Sequence, residues 1–147
     1  DVERSRGLGD VYKRQVMMVS PIGKNIWLRF AHDHGLDFAQ LRWCSKEVLS
    51  VDSDADIVFL DKDGNTYNFK NKDYTLSTPG GGAVVAFGMN LLGVELTLIG
   101  NCSVFKDKTM TAIRIYTNDG YYDFDIKEKN AKKLIKTYSL FEKALKK

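Results

Sequence analysis

Two histidines that lie close to acidic residues form the part of the sequence best suited to metal chemistry. His32 and His34 are separated by one residue, and Asp37 follows them. On a strand, residues two apart project to the same side, as two imidazole ligands of a zinc or iron site require, and Asp37 would supply a third ligand. Gly35, directly after His34, favours a polar hairpin turn exposed to water instead. The spacing therefore leaves two interpretations, a metal site and a turn.

Two tyrosines on either side of a second turn are candidates for ligand contact. Tyr116 ends one strand-like segment and Tyr121 begins the next, with the turn sequence Thr-Asn-Asp-Gly between them. Tyrosine joins an apolar ring to a polar hydroxyl and is therefore suited to binding surfaces. Most other aromatic residues of a β-rich domain are expected to fill its core. We predict an exposed ligand-binding patch at Tyr116 and Tyr121.

Positive charge is concentrated at the end of the chain. Residues 127–147 hold eight lysines and two glutamates, a net charge of +6, whereas residues 16–126 carry −4. Apolar residues at helical spacing predict an amphipathic helix from about Glu128 to Leu145, with the lysines on its polar side. Such a side either keeps a domain soluble or binds an anionic membrane surface. The candidates for membrane or anion binding are Lys129, Lys132, Lys133 and Lys136.

Sequence motifs of nucleophilic and redox catalysis are missing from the chain. It has no Gly-x-Ser-x-Gly nucleophile elbow, and Cys44 and Cys102 form no CxxC pair. We expect two buried free thiols, or a disulfide if the protein is exported.

Basic residues do not interleave with the aromatic ones, so no nucleic-acid partner is expected, and no cofactor is predicted. The longest apolar segment, residues 83–99, is too short and too interrupted to span a bilayer.

Alternation of apolar and polar residues predicts a series of antiparallel hairpins. Residues 36–43, which lie within the hairpin predicted over residues 25–45, are also compatible with a short helix. Together with the C-terminal helix, the strands define an α+β class, an antiparallel β-rich barrel or sandwich with one C-terminal amphipathic helix. We expect one such domain over residues 16–147. The predicted hairpins span residues 25–45, 57–69 and 111–126, and further strand candidates lie at 74–76, 84–87 and 94–99.

The last strands and the helix together resemble the pleckstrin-homology-like (PH-like) architecture. Residues 113–126 and the helix from Asn130 to Leu145 carry the resemblance, in which a meander of about seven strands is plugged at one open end by the helix. The resemblance implies a non-catalytic binding or interaction module for a protein or a small ligand. Two alternatives stay open. One is a metal-dependent enzyme using His32, His34 and Asp37, and the other is peripheral binding to anionic membranes through the lysine-rich helix.

The first residues are similar to something other than a natural protein segment. Residues 5–15, SRGLGDVYKRQ, resemble an in-frame translation of a transposon-type sequencing adapter, and the remainder resembles bacterial proteins from metagenomes. The similarity implies that residues 1–15 are a non-native, disordered extension with few long-range contacts. We then expect a domain truncated at its N-terminus, whose natural start lay upstream of Val16. An export signal or a lipid anchor fits such a start as well as a cytoplasmic address does.

Overall fold

The structure is a computed structural model that describes residues 19–45, 47–79 and 92–146. The predicted extension at residues 1–15 and the strand candidate at residues 84–87 lie outside this part of the chain. A 3₁₀ helix spans Cys102–Lys106, and the α-helix, α1, spans Glu128–Leu145. The strands are β1 (Val19–Gly23), β2 (Ile26–Asp33), β3 (Leu36–Ser45), β4 (Ser50–Val51), β5 (Asp56–Asp61), β6 (Thr66–Asn71), β7 (Thr75–Leu76), β8 (Thr78–Pro79), β9 (Leu92–Ile99), β10 (Met110–Thr117) and β11 (Gly120–Asp125).

Eight of these strands lie side by side in the order β1, β2, β3, β9, β6, β5, β10, β11, and β8 also pairs with β9. Each pairing is antiparallel, so the predicted α+β class of antiparallel sheet and C-terminal helix is confirmed. The predicted meander is wrong, because β9 inserts between β3 and β6, and β10 pairs with β5. Among the described strands β1 and β11 do not pair with each other, so this sheet is not closed. The strands β4 and β7 form a separate pair.

The three predicted hairpins all form, and a tight turn explains the first of them. In the first, His34 and Gly35 connect Asp33 to Leu36 with φ angles of 52° and 76°. Positive φ at both central positions gives the turn whose twist matches that of the flanking strands. The alternative helix over residues 36–43 is wrong, because β3 runs through all of them. The other two hairpins are β5 with β6 and β10 with β11.

Aromatic side chains from both halves of the sheet meet in one core. Phe105 of the 3₁₀ helix is fully buried, and its ring centroid lies 5.2 Å from that of Phe30 in β2. The same ring lies 5.0 Å from Phe59 in β5 and 5.5 Å from Phe69 in β6. Rings at these separations attract one another beyond the gain from burial alone. Phe105 therefore connects strands that are far apart in the sheet order.

A second aromatic contact joins the third and the last strands of the sheet order. Trp43 of β3 packs edge-on against Tyr122 and Phe124 of β11, with ring centroids 5.0 Å and 5.3 Å away. All three belong to the same cluster as Phe105. The sheet therefore bends so that β3 and β11 face each other across the core.

The helix α1 covers this core with its apolar stripe. Its buried residues include Leu134, Tyr138 and Phe141, spaced as one face of a helix requires. Tyr138 and Phe141 lie 5.0 Å and 5.9 Å from the ring of Phe30. The predicted helix boundaries, Glu128 and Leu145, are confirmed. The lysines consequently point away from the sheet.

One buried carboxylate organises the turn between β5 and β6. Asp61 is almost fully buried and accepts hydrogen bonds from the backbone N–H groups of Asp63 and Asn65 and from the hydroxyl of Tyr67. The Tyr67 hydrogen bond is the main cause that lowers the pKa of Asp61, and the same bond raises the pKa of Tyr67 to about 12. These hydrogen bonds compensate the buried negative charge, so the role of Asp61 is to stabilise the turn.

Candidate functional site

The predicted histidine cluster lies at the tip of the β2–β3 hairpin. His32 in β2 is opposite Asp37 in β3, and its Nδ1 lies 2.6 Å from a carboxylate oxygen of Asp37. His34 belongs to the turn, is 91% exposed, and has its Nδ1 2.9 Å from Asp33 instead. Each imidazole thus has its own acidic partner. Among the described residues, no group of three or more His, Cys, Asp or Glu side chains is arranged to hold a metal ion. The metal site stays a prediction.

The two predicted tyrosines lie side by side on the outer surface of the β10–β11 hairpin. Tyr116 and Tyr121 are directly opposite in the register, with ring centroids 6.0 Å apart, and both are exposed. Arg114 lies 4.0 Å from the Tyr121 ring centroid and makes a two-pronged contact with Asp123 at 2.7 Å and 2.9 Å. This hydrogen bonding raises the pKa of Arg114 and lowers that of Asp123. A ligand role for the tyrosines stays a prediction.

The predicted lysines form one exposed face of α1. Lys129, Lys132, Lys133 and Lys136 are all exposed, and Lys143 continues the face towards the C-terminal end. Lys132 lies 3.3 Å from Glu128, one helical turn earlier. This pair is open to solvent, where an ion pair is worth little. The face therefore presents a concentrated positive charge to the solvent.

A groove on the outer face of β1, β2, β3 and β9 was not among the sites predicted from the sequence. In β2 the residues Ile26, Leu28 and Phe30 face the core, so the alternating residues Trp27 and Arg29 face outward. The same alternation turns Gln40 and Arg42 of β3 outward, beside Glu95 of β9. The groove has a volume of about 300 Å³ and is lined by Val19, Trp27, Leu28, Arg29, Gln40, Arg42 and Glu95.

A second hollow adjoins the first. It has a volume of about 170 Å³ and shares Arg42 and Glu95 with the groove. The Arg42 guanidinium donates to a carboxylate oxygen of Glu95 at 3.1 Å, so this ion pair separates the two hollows. The residues of the second hollow are Arg42, Thr75, Leu76, Thr78, Gly93, Val94 and Glu95. The two hollows therefore lie next to each other on the outer face of the sheet.

The two arginines of the groove differ in their partners. Arg42 is paired with the carboxylate of Glu95, which balances its charge. Arg29 donates instead to the side-chain oxygen of Gln40, which is neutral. Among the described residues that line the groove, two arginines and one glutamate give a net charge of +1. Trp27 is half-buried, lies opposite Arg42 in the register of β2 and β3, packs against Cys44 and supplies a large apolar surface.

Sequence reasoning missed this groove because its signal is divided between distant segments. The outward residues Trp27, Arg29, Gln40 and Arg42 follow from strand alternation, which was visible. The missing part was Glu95, which lies 53 residues after Arg42 and becomes its neighbour only because β9 pairs with β3. An alternating Trp-x-Arg segment on a predicted strand was the one local signal.

The cysteines do not provide a nucleophile. Cys44 and Cys102 are both free and buried. Burial raises the pKa of both thiols, and that of Cys102 rises to about 12. Since the thiolate is the reactive form, thiols with raised pKa values are poorly reactive at neutral pH.

Fold and site together define a class of protein, an antiparallel β-sheet domain with a C-terminal helix and an outer groove. Comparisons with protein-family models, with curated proteins and with solved structures gave no match for this chain. In the part of the chain that the structure describes, no helix combines the length and the apolar character needed to cross a membrane.

Proposed function

We propose that this chain is a non-catalytic binding module of PH-like type, and that its ligand is a small molecule bound in the groove on the outer face of β1, β2, β3 and β9. The observation that carries this proposal is the groove itself, an apolar depression with Trp27 in its wall and charged groups at defined positions. Small-molecule sites combine an apolar lining with a few placed polar groups in this way.

The proposed PH-like barrel or sandwich is supported by contacts across the sheet. Trp43 and Phe124 belong to the third and the last strands of the sheet order, and their rings pack together. The helix α1 packs against β1, β2 and β10, that is, against strands from both ends. A bent sheet with a helix over its opening agrees with the helix-plugged end that the resemblance of residues 113–126 and α1 implies, although the strand order is not that of a meander.

A non-catalytic role is supported by how the polar groups are used. Arg42 and Glu95 neutralise each other, and Arg29 is engaged with Gln40. The nearby thiol of Cys44 has a raised pKa because of its burial. These groups are suited to holding a ligand, since each is fixed by a neighbour and none of them is activated as a nucleophile.

Binding of N-phenyl-1-naphthylamine, a neutral dye whose fluorescence rises in apolar sites, tests the proposal. We expect saturable binding to the wild-type chain and loss of binding in Trp27→Gln, which replaces the apolar wall with a polar one. The matched control is Leu60→Gln, an exposed apolar residue on β5. Circular dichroism verifies that both variants are folded. Absence of saturable binding, or equal binding by folded Trp27→Gln, would contradict the proposal.

A second function, peripheral binding to anionic membranes, is supported by the lysine face of α1. Five exposed lysines share this face, and their long side chains reach a surface without disturbing the buried stripe. Clusters of lysine on an amphipathic helix bind anionic lipid headgroups. Flotation with vesicles of phosphatidylserine and phosphatidylcholine tests this function. We expect binding at low salt that is lost at high salt, and no binding to phosphatidylcholine alone. Failure to bind at low salt would refute it.

A further inference from the structure

Arg29 is the cation of the groove whose charge is not balanced by its side-chain partner. Its guanidinium donates to the oxygen of Gln40, and no carboxylate within the described residues forms an ion pair with it. Arg42 differs in this respect. It lies on β3 two residues after Gln40, and its charge is paired with the carboxylate of Glu95. A guanidinium carries five N–H donors in a planar fork. Donors therefore remain on Arg29 for an anionic partner.

Gln40 supports the same conclusion. Its oxygen accepts from Arg29, so the two N–H donors of its amide nitrogen take no part in that hydrogen bond. Arg29 and Gln40 are direct neighbours in the register of β2 and β3. Two adjacent donor groups with a net charge of +1 match a carboxylate, which has two acceptor oxygens and one negative charge.

The apolar part of the groove favours a planar ring as the rest of the ligand. Trp27 lies one step along β2 from Leu28, opposite Arg42, and its indole forms part of the wall. Indole and guanidinium groups both offer flat surfaces on which aromatic rings stack. The volume, about 300 Å³, is at the lower end of small-molecule sites. A ligand of one or two fused rings suits this space.

We propose that the groove selects an aromatic monocarboxylate, held by Arg29 and Gln40 at its carboxylate and by Trp27 at its ring. This inference rests on the proposed function, since it names the chemical class of the ligand in the same groove. In this proposal Arg29 selects a negatively charged ligand, and Trp27 selects a ligand with a planar ring.

The test compares three probes by isothermal titration calorimetry in 150 mM NaCl. The probes are 2-naphthoate, the neutral 2-naphthamide and the aliphatic decanoate. A charge-assisted hydrogen bond in a half-exposed site is expected to make 2-naphthoate bind about tenfold more tightly than 2-naphthamide. We expect decanoate to bind more weakly than 2-naphthoate.

Substitutions assign the selectivity to its residue. In Arg29→Gln the two naphthyl probes should bind equally, because only the anion loses a partner. Arg29→Lys keeps the charge and should keep part of the preference. The control is Arg114→Gln on the β10–β11 hairpin, which should leave the preference unchanged.

The outcomes distinguish failure of this inference from failure of the proposed small-molecule binding in the groove. Equal binding of 2-naphthoate and 2-naphthamide to the wild-type chain overturns the selection of an anion, and decanoate binding as tightly as 2-naphthoate overturns the selection of a ring. If the neutral dye still binds in a Trp27-dependent manner, the groove remains a ligand site. A preference for 2-naphthoate that survives in Arg29→Gln also overturns the inference. If neither the dye nor the probes bind, both proposals fail.

Discussion

Replacement of Phe105 by alanine tests the architecture that holds the groove in place. Phe105 is fully buried and its ring touches Phe30, Phe59 and Phe69, so it connects β2 to β5 and β6. A buried Phe→Ala change costs about 3–5 kcal/mol, since it combines the lost transfer free energy with a cavity. The three ring contacts support a loss of about 4 kcal/mol for Phe105→Ala, within this range.

Urea denaturation followed by circular dichroism measures this cost. With an unfolding slope of about 2 kcal/mol per molar urea, a loss of about 4 kcal/mol lowers the midpoint by about 2 M. Phe105→Leu keeps much of the apolar volume, so it should lose only about 1.5 kcal/mol. The control is Val48→Ala, at a side chain that is 70% exposed. Its midpoint should not move.

The result that refutes this reasoning is a small effect at Phe105. A loss below about 1 kcal/mol for Phe105→Ala is the size expected of an average substitution and not of a core ring that joins two halves of a sheet. Equal losses in Phe105→Ala and Phe105→Leu would also contradict it, because the cavity term would then be missing.

Three further predictions concern other parts of the molecule. Hydrogen bonding, chiefly from Tyr67, lowers the pKa of Asp61, so this carboxylate stabilises the fold above its unfolded pKa and the stabilisation is lost as pH falls through the lower folded pKa. Urea midpoints between pH 7 and pH 3 should therefore fall less steeply in Asp61→Asn than in the wild type, and parallel curves would argue against this role. Leu134→Ala should lower the free energy of unfolding by about 2–5 kcal/mol, because Leu134 belongs to the buried stripe of α1, whereas Leu140→Ala on the exposed face should change it little. In the vesicle assay, Lys133→Gln with Lys136→Gln should weaken binding about 30-fold, since each lysine near an anionic surface contributes about 1 kcal/mol. Unchanged binding by this double variant would exclude the lysine face.

The hairpins and the helix could be predicted from the sequence because their signals are local. The turn at His34 and Gly35 needs only residues next to one another, and the apolar stripe of α1 repeats within a single segment. Their boundaries follow from the same short-range patterns. The pairing of β9 with β3 has no such signal, because it depends on which distant strand best covers the core.

The groove was not predicted from the sequence, because it depends on the pairing of β9 with β3. Trp27 and Arg29 alternate with core residues and could be placed on the outer face of β2, but an outward arginine alone is not a site. The ion pair between Arg42 and Glu95 appears only when β9 is beside β3. The 3₁₀ helix with Phe105 was also missed, since five residues are too few to show a helical period.

The indole N–H signals of the two tryptophans give the most direct test of the central claim, that a ligand occupies the outer groove. Trp27 lies in the wall of the groove, whereas Trp43 is 4% exposed and belongs to the core. In a titration of ¹⁵N-labelled protein with 2-naphthoate followed by NMR, the Trp27 indole signal should shift in a saturable manner, while that of Trp43 stays in place. Trp27→Phe and Trp43→Phe assign the two signals. A titration in which the Trp27 signal does not move, while signals of the β10–β11 hairpin or α1 do, would contradict the account.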